Sequence, residues 1–113
     1  RDRKWSKRLL VLDATTVKSQ DLRTEIDRNI AAWRDRDLHL VLLDGDQVGG
    51  EEANQDASFW RKKFRIAQEG AALVGKDGGV KERWSVAPRL QEIFDLVDAM
   101  PMRRRELRDE KNN

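Results

Sequence analysis

The sequence predicts a single α/β layer: a parallel βαβ unit in its first half, then an antiparallel hairpin covered by a helix. Three observations carry this. Leu9-Leu-Val-Leu12 and Leu38-His-Leu-Val-Leu-Leu43 are apolar runs without regular polar alternation, the habit of strands covered on both faces. Between them Leu22, Ile26, Ile30 and Trp33 recur at spacings of four, four and three, one apolar stripe on a helix. Further on, the stretch from Gly70 to Trp84 reads as two short strands reversing at Lys76-Asp-Gly-Gly79, where Asp and Gly tolerate the positive φ of a tight turn.

With 113 residues the chain is long enough for one layered core and too short for two. Hydrophobic residues make up 38% and charged residues 39%, so the core must be small and the surface heavily solvated. Lys and Arg number 23 against 21 Asp and Glu, and a formal charge of +2 is too small for bulk electrostatics to name a nucleic-acid or membrane partner. The absence of cysteine removes disulfides, thiolate catalysis and Cys-based zinc sites together. No apolar run approaches the roughly 20 residues that a membrane-spanning helix needs, so a soluble domain is expected. The chain begins at Arg1, which suggests a trimmed or processed chain with any targeting peptide outside it.

Taken in order, a basic lead-in from Arg1 to Arg8 runs into the first strand, which Asp13-Ala-Thr-Thr16 ends. Ser19 is placed to cap a helix over about 20–34, with Asp21 favouring its positive end. Arg34-Asp-Arg-Asp37 breaks that stripe before the second strand, making a right-handed parallel crossover. The acidic, glycine-rich segment from Asp44 to Asp56 reads as a long exposed loop. Residues 57–66 read as a short helix that mixes Phe59, Trp60 and Phe64 with Arg61, Lys62, Lys63 and Arg65. After the hairpin, Pro88 suits the first turn of a helix on which Leu90, Ile93, Phe94 and Val97 form the strongest amphipathic pattern in the chain. That helix ends near Met100-Pro101. Residues 106–113 are expected to be a charged C-terminal tail, fraying beyond Arg105, outside a domain spanning 1–105.

The order β-α-β-α-β-β-α, parallel first and antiparallel after, is that of a single thioredoxin-like domain, with Lys81 and Arg83 guarding the charged edge strand. Within it, Arg8-Leu-Leu-Val-Leu12, Leu73-Val-Gly-Lys-Asp-Gly-Gly-Val-Lys81 and Ile93-Phe-Asp-Leu-Val-Asp-Ala-Met-Pro-Met-Arg-Arg104 resemble the bacterial domain-of-unknown-function family 4174. The resemblance implies a thioredoxin-like or peroxiredoxin-like fold in a periplasmic or secreted protein, and carries no catalytic residue onto this chain. Where active members of the wider fold place a cysteine, this chain has Thr15-Thr-Val-Lys18, and no proline stands in Arg65-Ile-Ala-Gln-Glu-Gly70. A hydroxyl lacks the ionisable, polarizable sulfur of redox exchange, so thiol chemistry is excluded.

Two functional readings follow. The first is a non-catalytic binding or interaction module with no cofactor. Its contact residues would be Trp60, Arg61, Lys62, Lys63 and Arg65 on the short helix, with Arg103, Arg104 and Arg105 near the end, converging on the basic lead-in and its Trp5. The partner would be a protein or an anion such as a glycan, a nucleic acid or a lipid head group; the acidic 44–56 loop meeting a basic end would instead make a homo-oligomer. The alternative is a Mg-dependent phosphoryl-transfer enzyme, with Asp13 and Asp44 at the strand ends holding the metal and Lys76 or Lys18 neutralising phosphate. Loop capping is the commoner role for acids in such positions. A phosphate-loop reading of Gly75-Lys76 fails on spacing, and the lone His39 within an apolar strand reads as structural. Trp33 and Trp84 are expected in the core, and Trp5 and Trp60 are the aromatics available to a partner.

Overall fold

The computed structural model describes residues 6–51 and 55–112 and shows a five-stranded sheet with helices on both faces. Its strands are β1 (Arg8–Asp13), β2 (Leu38–Asp44), β3 (Gln47–Gly50), β4 (Ala71–Val74) and β5 (Val80–Trp84), in the spatial order β3-β2-β1-β4-β5. The helices are α1 (Val17–Arg28), α2 (Ile30–Asp35), α3 (Ala57–Phe64), α4 (Leu90–Asp98) and α5 (Pro101–Asn112). β1 is parallel to β2, with Leu10 beside Leu40, and every other pairing is antiparallel. The parallel pair and the hairpin are thus as expected, whereas the expected four strands and three helices become five of each.

β1 is central and buried along its whole length because both of its faces are covered. Leu10 and Leu12 point into a core with Leu22, Ile26 and Trp33 of the first two helices and Leu90, Ile93 and Val97 of α4. Leu9 and Val11 face the other way, onto Trp60 and Phe64 of α3. The period-two alternation of a strand therefore divides one apolar run between two cores.

Each departure from expectation has a local cause. The single helix over 20–34 is two helices broken at Asn29, whose side-chain amide donates to the Glu25 carbonyl at 2.8 Å and so competes with the helical ladder. Its N-cap is Thr16, not Ser19: the Thr16 hydroxyl accepts from the Ser19 N–H at 3.0 Å and Ser19 Oγ accepts from the Thr16 N–H at 3.2 Å, a reciprocal capping box. The 44–56 segment is not all loop. Asp44-Gly-Asp-Gln47 turns tightly, with Gly45 at φ +60°, and lays β3 against β2. A Cβ on Gly50, at φ +91°, would meet the Leu40 carbonyl oxygen at 2.1 Å, so only glycine lets this edge strand lie so close. Pro88 precedes the helix it was expected to open. α4 starts at Leu90, and its first N–H donates to Glu25 Oε1 of α1 at 3.2 Å.

The C-terminal segment departs furthest. α5 runs to Asn112 instead of fraying beyond Arg105. Its anchor is electrostatic. At the end of the sheet where β1 begins, Arg8 (1% exposed) donates to both Glu106 carboxylate oxygens at 3.3 and 3.2 Å. Lys76 (5% exposed) donates to Glu106 Oε2 at 2.7 Å and Asp37 Oδ2 at 2.8 Å. Arg103, also buried, donates to Asp35 Oδ2 at 2.6 Å and to the Asp35 carbonyl at 3.0 Å.

Truncation tests this anchor. Removing residues from Glu106 onward leaves two buried cations without their shared carboxylate and is expected to cost about 3–5 kcal/mol in urea unfolding. Ending the chain after Leu107 keeps Glu106 and is expected to cost less than about 1 kcal/mol. Equal midpoints for the two truncations would show that Glu106 holds nothing.

Candidate functional site

The C-terminal ends of the parallel strands β1 and β2 open on a cleft of about 500 Å³ whose wall includes Asp13, Thr15, Asp46, Arg61 and Gln68. Asp13 is buried there. Its Oδ1 accepts from the Thr15 N–H at 3.1 Å and the Thr15 hydroxyl at 2.6 Å, and its Oδ2 accepts from Arg61 Nη1 at 3.2 Å. Burial pushes this carboxyl up, but the Thr15 hydroxyl and amide, a backbone contact from Glu69 and the Arg61 guanidinium together outweigh it and hold it below the usual carboxylate range. Asp13 is therefore a charged residue closing the turn after β1, with Arg61 as its counter-ion.

This unites residues that the sequence assigned to opposite readings, Asp13 to a metal and Arg61 to an anion. Asp44 is exposed and pairs with Gln47 across the β2–β3 turn, and its neighbour Asp46 is the acid that shares the cleft with Asp13. Lys76, expected to neutralise a phosphate there, is buried at the opposite end of the sheet beside Glu106. Lys18 lines a different recess, with Trp84 and Val86. Among the described residues no group of three or more His, Cys, Asp or Glu is arranged to hold a metal ion.

The basic groups separate likewise. α3 packs on one face of the sheet, while α5 continues from α4, which packs on the other, and is pinned at the far strand ends. Lys62, Lys63 and Arg65 are exposed, as are Arg104 and Arg105. Two expected contact residues are not available. Arg103 is buried because its guanidinium is needed by Asp35. Trp60 is buried because it is the aromatic of the α3 core stripe, stacked on Phe64 with ring centroids 5.8 Å apart. The exposed aromatic is Phe59, at 38%, with Lys63 Nζ 5.9 Å from its ring centre. Trp33 is buried as expected and Trp84 is half-buried, donating from Nε1 to Glu92 at 3.3 Å. Trp5 and the basic residues before it lie outside the described residues.

Sequence reasoning missed Glu106, and with it the cluster it forms with Arg8, Lys76 and Arg103, three cations that the sequence assigned to anion binding. In Glu106, burial pushes the carboxyl up, but hydrogen bonds and charge from Lys76 and Arg8 prevail and hold it below the ordinary range. Asp37 behaves alike, burial being outweighed by Lys76 and, at longer range, by Lys7 and Arg8. The available signal was small: Arg8 abuts an apolar run, and Arg103 and Glu106 stand three apart on one helical face.

No helix among the described residues is long and apolar enough to cross a membrane. A family model described as "Domain of unknown function (DUF4174)" matches residues 1–106. No curated protein and no solved structure matches the chain.

The lowered carboxyls set the pH response. A carboxyl whose folded pKa lies below its unfolded value, about 3.9–4.3, adds stability present above that value and lost as pH falls through the folded one. Asp13→Asn is accordingly expected to cost about 1–3 kcal/mol at neutral pH, a cost that shrinks as the pH falls below about 3.9, measured by urea unfolding at neutral and at acid pH. Millimolar Mg²⁺ is expected to leave the parent Tm unchanged; a rise that Asp13→Asn abolishes would restore the metal reading.

Proposed function

Because the chain belongs to the family described as a domain of unknown function, DUF4174, we propose its role from geometry: a non-catalytic interaction module that meets an acidic partner through the outer face of α3. The carrying observation is the stripe Phe59, Lys62 and Lys63, three exposed residues at i, i+3 and i+4 on a helix whose other face is core. An exposed aromatic beside two ammonium groups suits an acidic surface, giving apolar contact and charge together. The non-catalytic part is supported by the strand-end cleft, where Asp13 and Arg61 satisfy each other and Thr15 serves the turn.

The architecture is read as a thioredoxin-type layer enlarged at one edge. The order β2-β1-β4-β5, with the first two parallel and the last two a hairpin, supports this, and β3 is the addition. The resemblance adds the periplasmic or secreted setting.

Heparin serves as a polyanion probe. Lys62→Glu with Lys63→Glu is expected to shift elution to markedly lower salt and to lower the slope of log affinity against log salt by about 2. Arg104→Glu with Arg105→Glu, on the other side of the sheet, should leave retention nearly unchanged. Equal effects from both pairs would mean that net charge, and not the α3 stripe, does the binding.

A further inference from the structure

At the opposite end of the sheet from the Asp13 cleft, a recess of about 290 Å³ lies between the β4–β5 turn and the start of α5. Its floor is apolar, made by Met100, Pro101 and Met102. Its remaining wall is rich in cations: Arg8, Lys76 and Lys81 all line it, against one acid, Asp77.

Three sets of donors there have hydrogen-bonding capacity left over. Arg8 gives both terminal nitrogens to Glu106 and one also to the Arg36 carbonyl, yet its buried Nε has no partner among the described residues. Lys76 carries three N–H donors, and the hydrogen bonds to Asp37 and Glu106 use two. Lys81 uses one, on Asp77 at 2.9 Å. The first turn of α5 adds its own polarity. The first intrahelical bond is Arg104 N–H to the Met100 carbonyl, so the Met102 N–H precedes the ladder, and neither Met100 nor Pro101 has a side-chain oxygen to cap it. A helix start is the positive end of the helix dipole.

Donors on one side and methionine and proline on the other define a ligand with two unlike ends. We propose that this recess binds a small carboxylate bearing a short apolar chain, its oxygens received by Lys81, Arg8 and the first turn of α5 and its chain laid on Met100 and Met102. Glu106, Asp37 and Asp77 balance the charges of Arg8, Lys76 and Lys81, so a ligand is held through the N–H donors left over, and one carboxylate, not a polyanion, is the charge the site takes. That distinguishes it from the α3 surface, and neither proposal depends on the other.

The test is a titration of the full chain with acetate, butyrate and hexanoate, followed by amide NMR shifts, with hexanol as the neutral control. Expected are shifts centred on Gly75, Lys76 and Met102, and an affinity that rises about fourfold per added methylene until the recess is full. Hexanol should bind at least tenfold more weakly than hexanoate. Met102→Glu places a competing carboxylate at the helix start, where it favours the helix, and is expected to abolish hexanoate binding without lowering Tm; Lys81→Ala should weaken it several-fold. The proposal is overturned if hexanoate moves no amide around the recess, leaving water as its occupant. It is overturned equally if hexanol binds as well, or if Met102→Glu keeps both its Tm and its affinity.

Discussion

Arg8, Lys76 and Arg103 lie buried at one end of the sheet, and the carboxylate of Glu106 is what the arrangement depends on. An ion withdrawn from water is tolerated only beside an opposite charge with its hydrogen bonds made. Glu106 supplies that charge to Arg8 and Lys76 directly and stands 3.8 Å from Arg103, while Asp37, Asp35 and Asp98 complete the balance from the α2–β2 side and the end of α4. One residue of α5 thereby ties the start of β1 to the end of β4, elements up to 98 positions away in the chain.

The same constraint explains why α5 is where it is. It has almost no apolar stripe, so hydrophobic burial cannot place it. Arg36 reinforces the corner by giving two hydrogen bonds to Asp98, at 3.0 and 2.9 Å, while its guanidinium lies 4.0 Å above the Phe94 ring. The corner is thus held by charge laid over aromatic and aliphatic surface, which keeps the C-terminal helix docked in a chain whose apolar residues are already spent on two thin cores.

The two ends of the sheet are built on contrasting terms. At the C-terminal end of β1 one acid and one arginine satisfy each other, with Thr15 closing the turn, so the cleft presents a finished structural pair. At the N-terminal end Arg8, Lys76 and Lys81 are matched by Glu106, Asp37 and Asp77, yet unused N–H donors remain beside an apolar floor. On α3 the exposed charge of Lys62 and Lys63 lies on the outer face, because the inner face of that helix is committed to Trp60 and Phe64.

What was legible in the chain was whatever short-range periodicity controls. The apolar runs at 9–12 and 38–43 are β1 and β2, Asp77-Gly78-Gly79 does reverse β4 into β5, and the Leu90 to Val97 stripe is α4, because each pattern meets its own face of the core. The acidic segment hid β3, since Gln47-Val48-Gly49-Gly50 has little strand preference of its own and forms a strand only by pairing with β2. The basic clusters misled in the same way: charge type is read from the sequence, but whether Arg61, Arg103 or Lys76 faces solvent or an acid was decided by partners 30 to 68 residues distant. By itself the sequence determined β1, β2, the β4–β5 hairpin and α4 and the faces they bury; only the tertiary structure decided that β3 and α5 form and which charges are exposed, because edge pairing and ion pairs have no period along a chain and are set by where the fold brings their two ends.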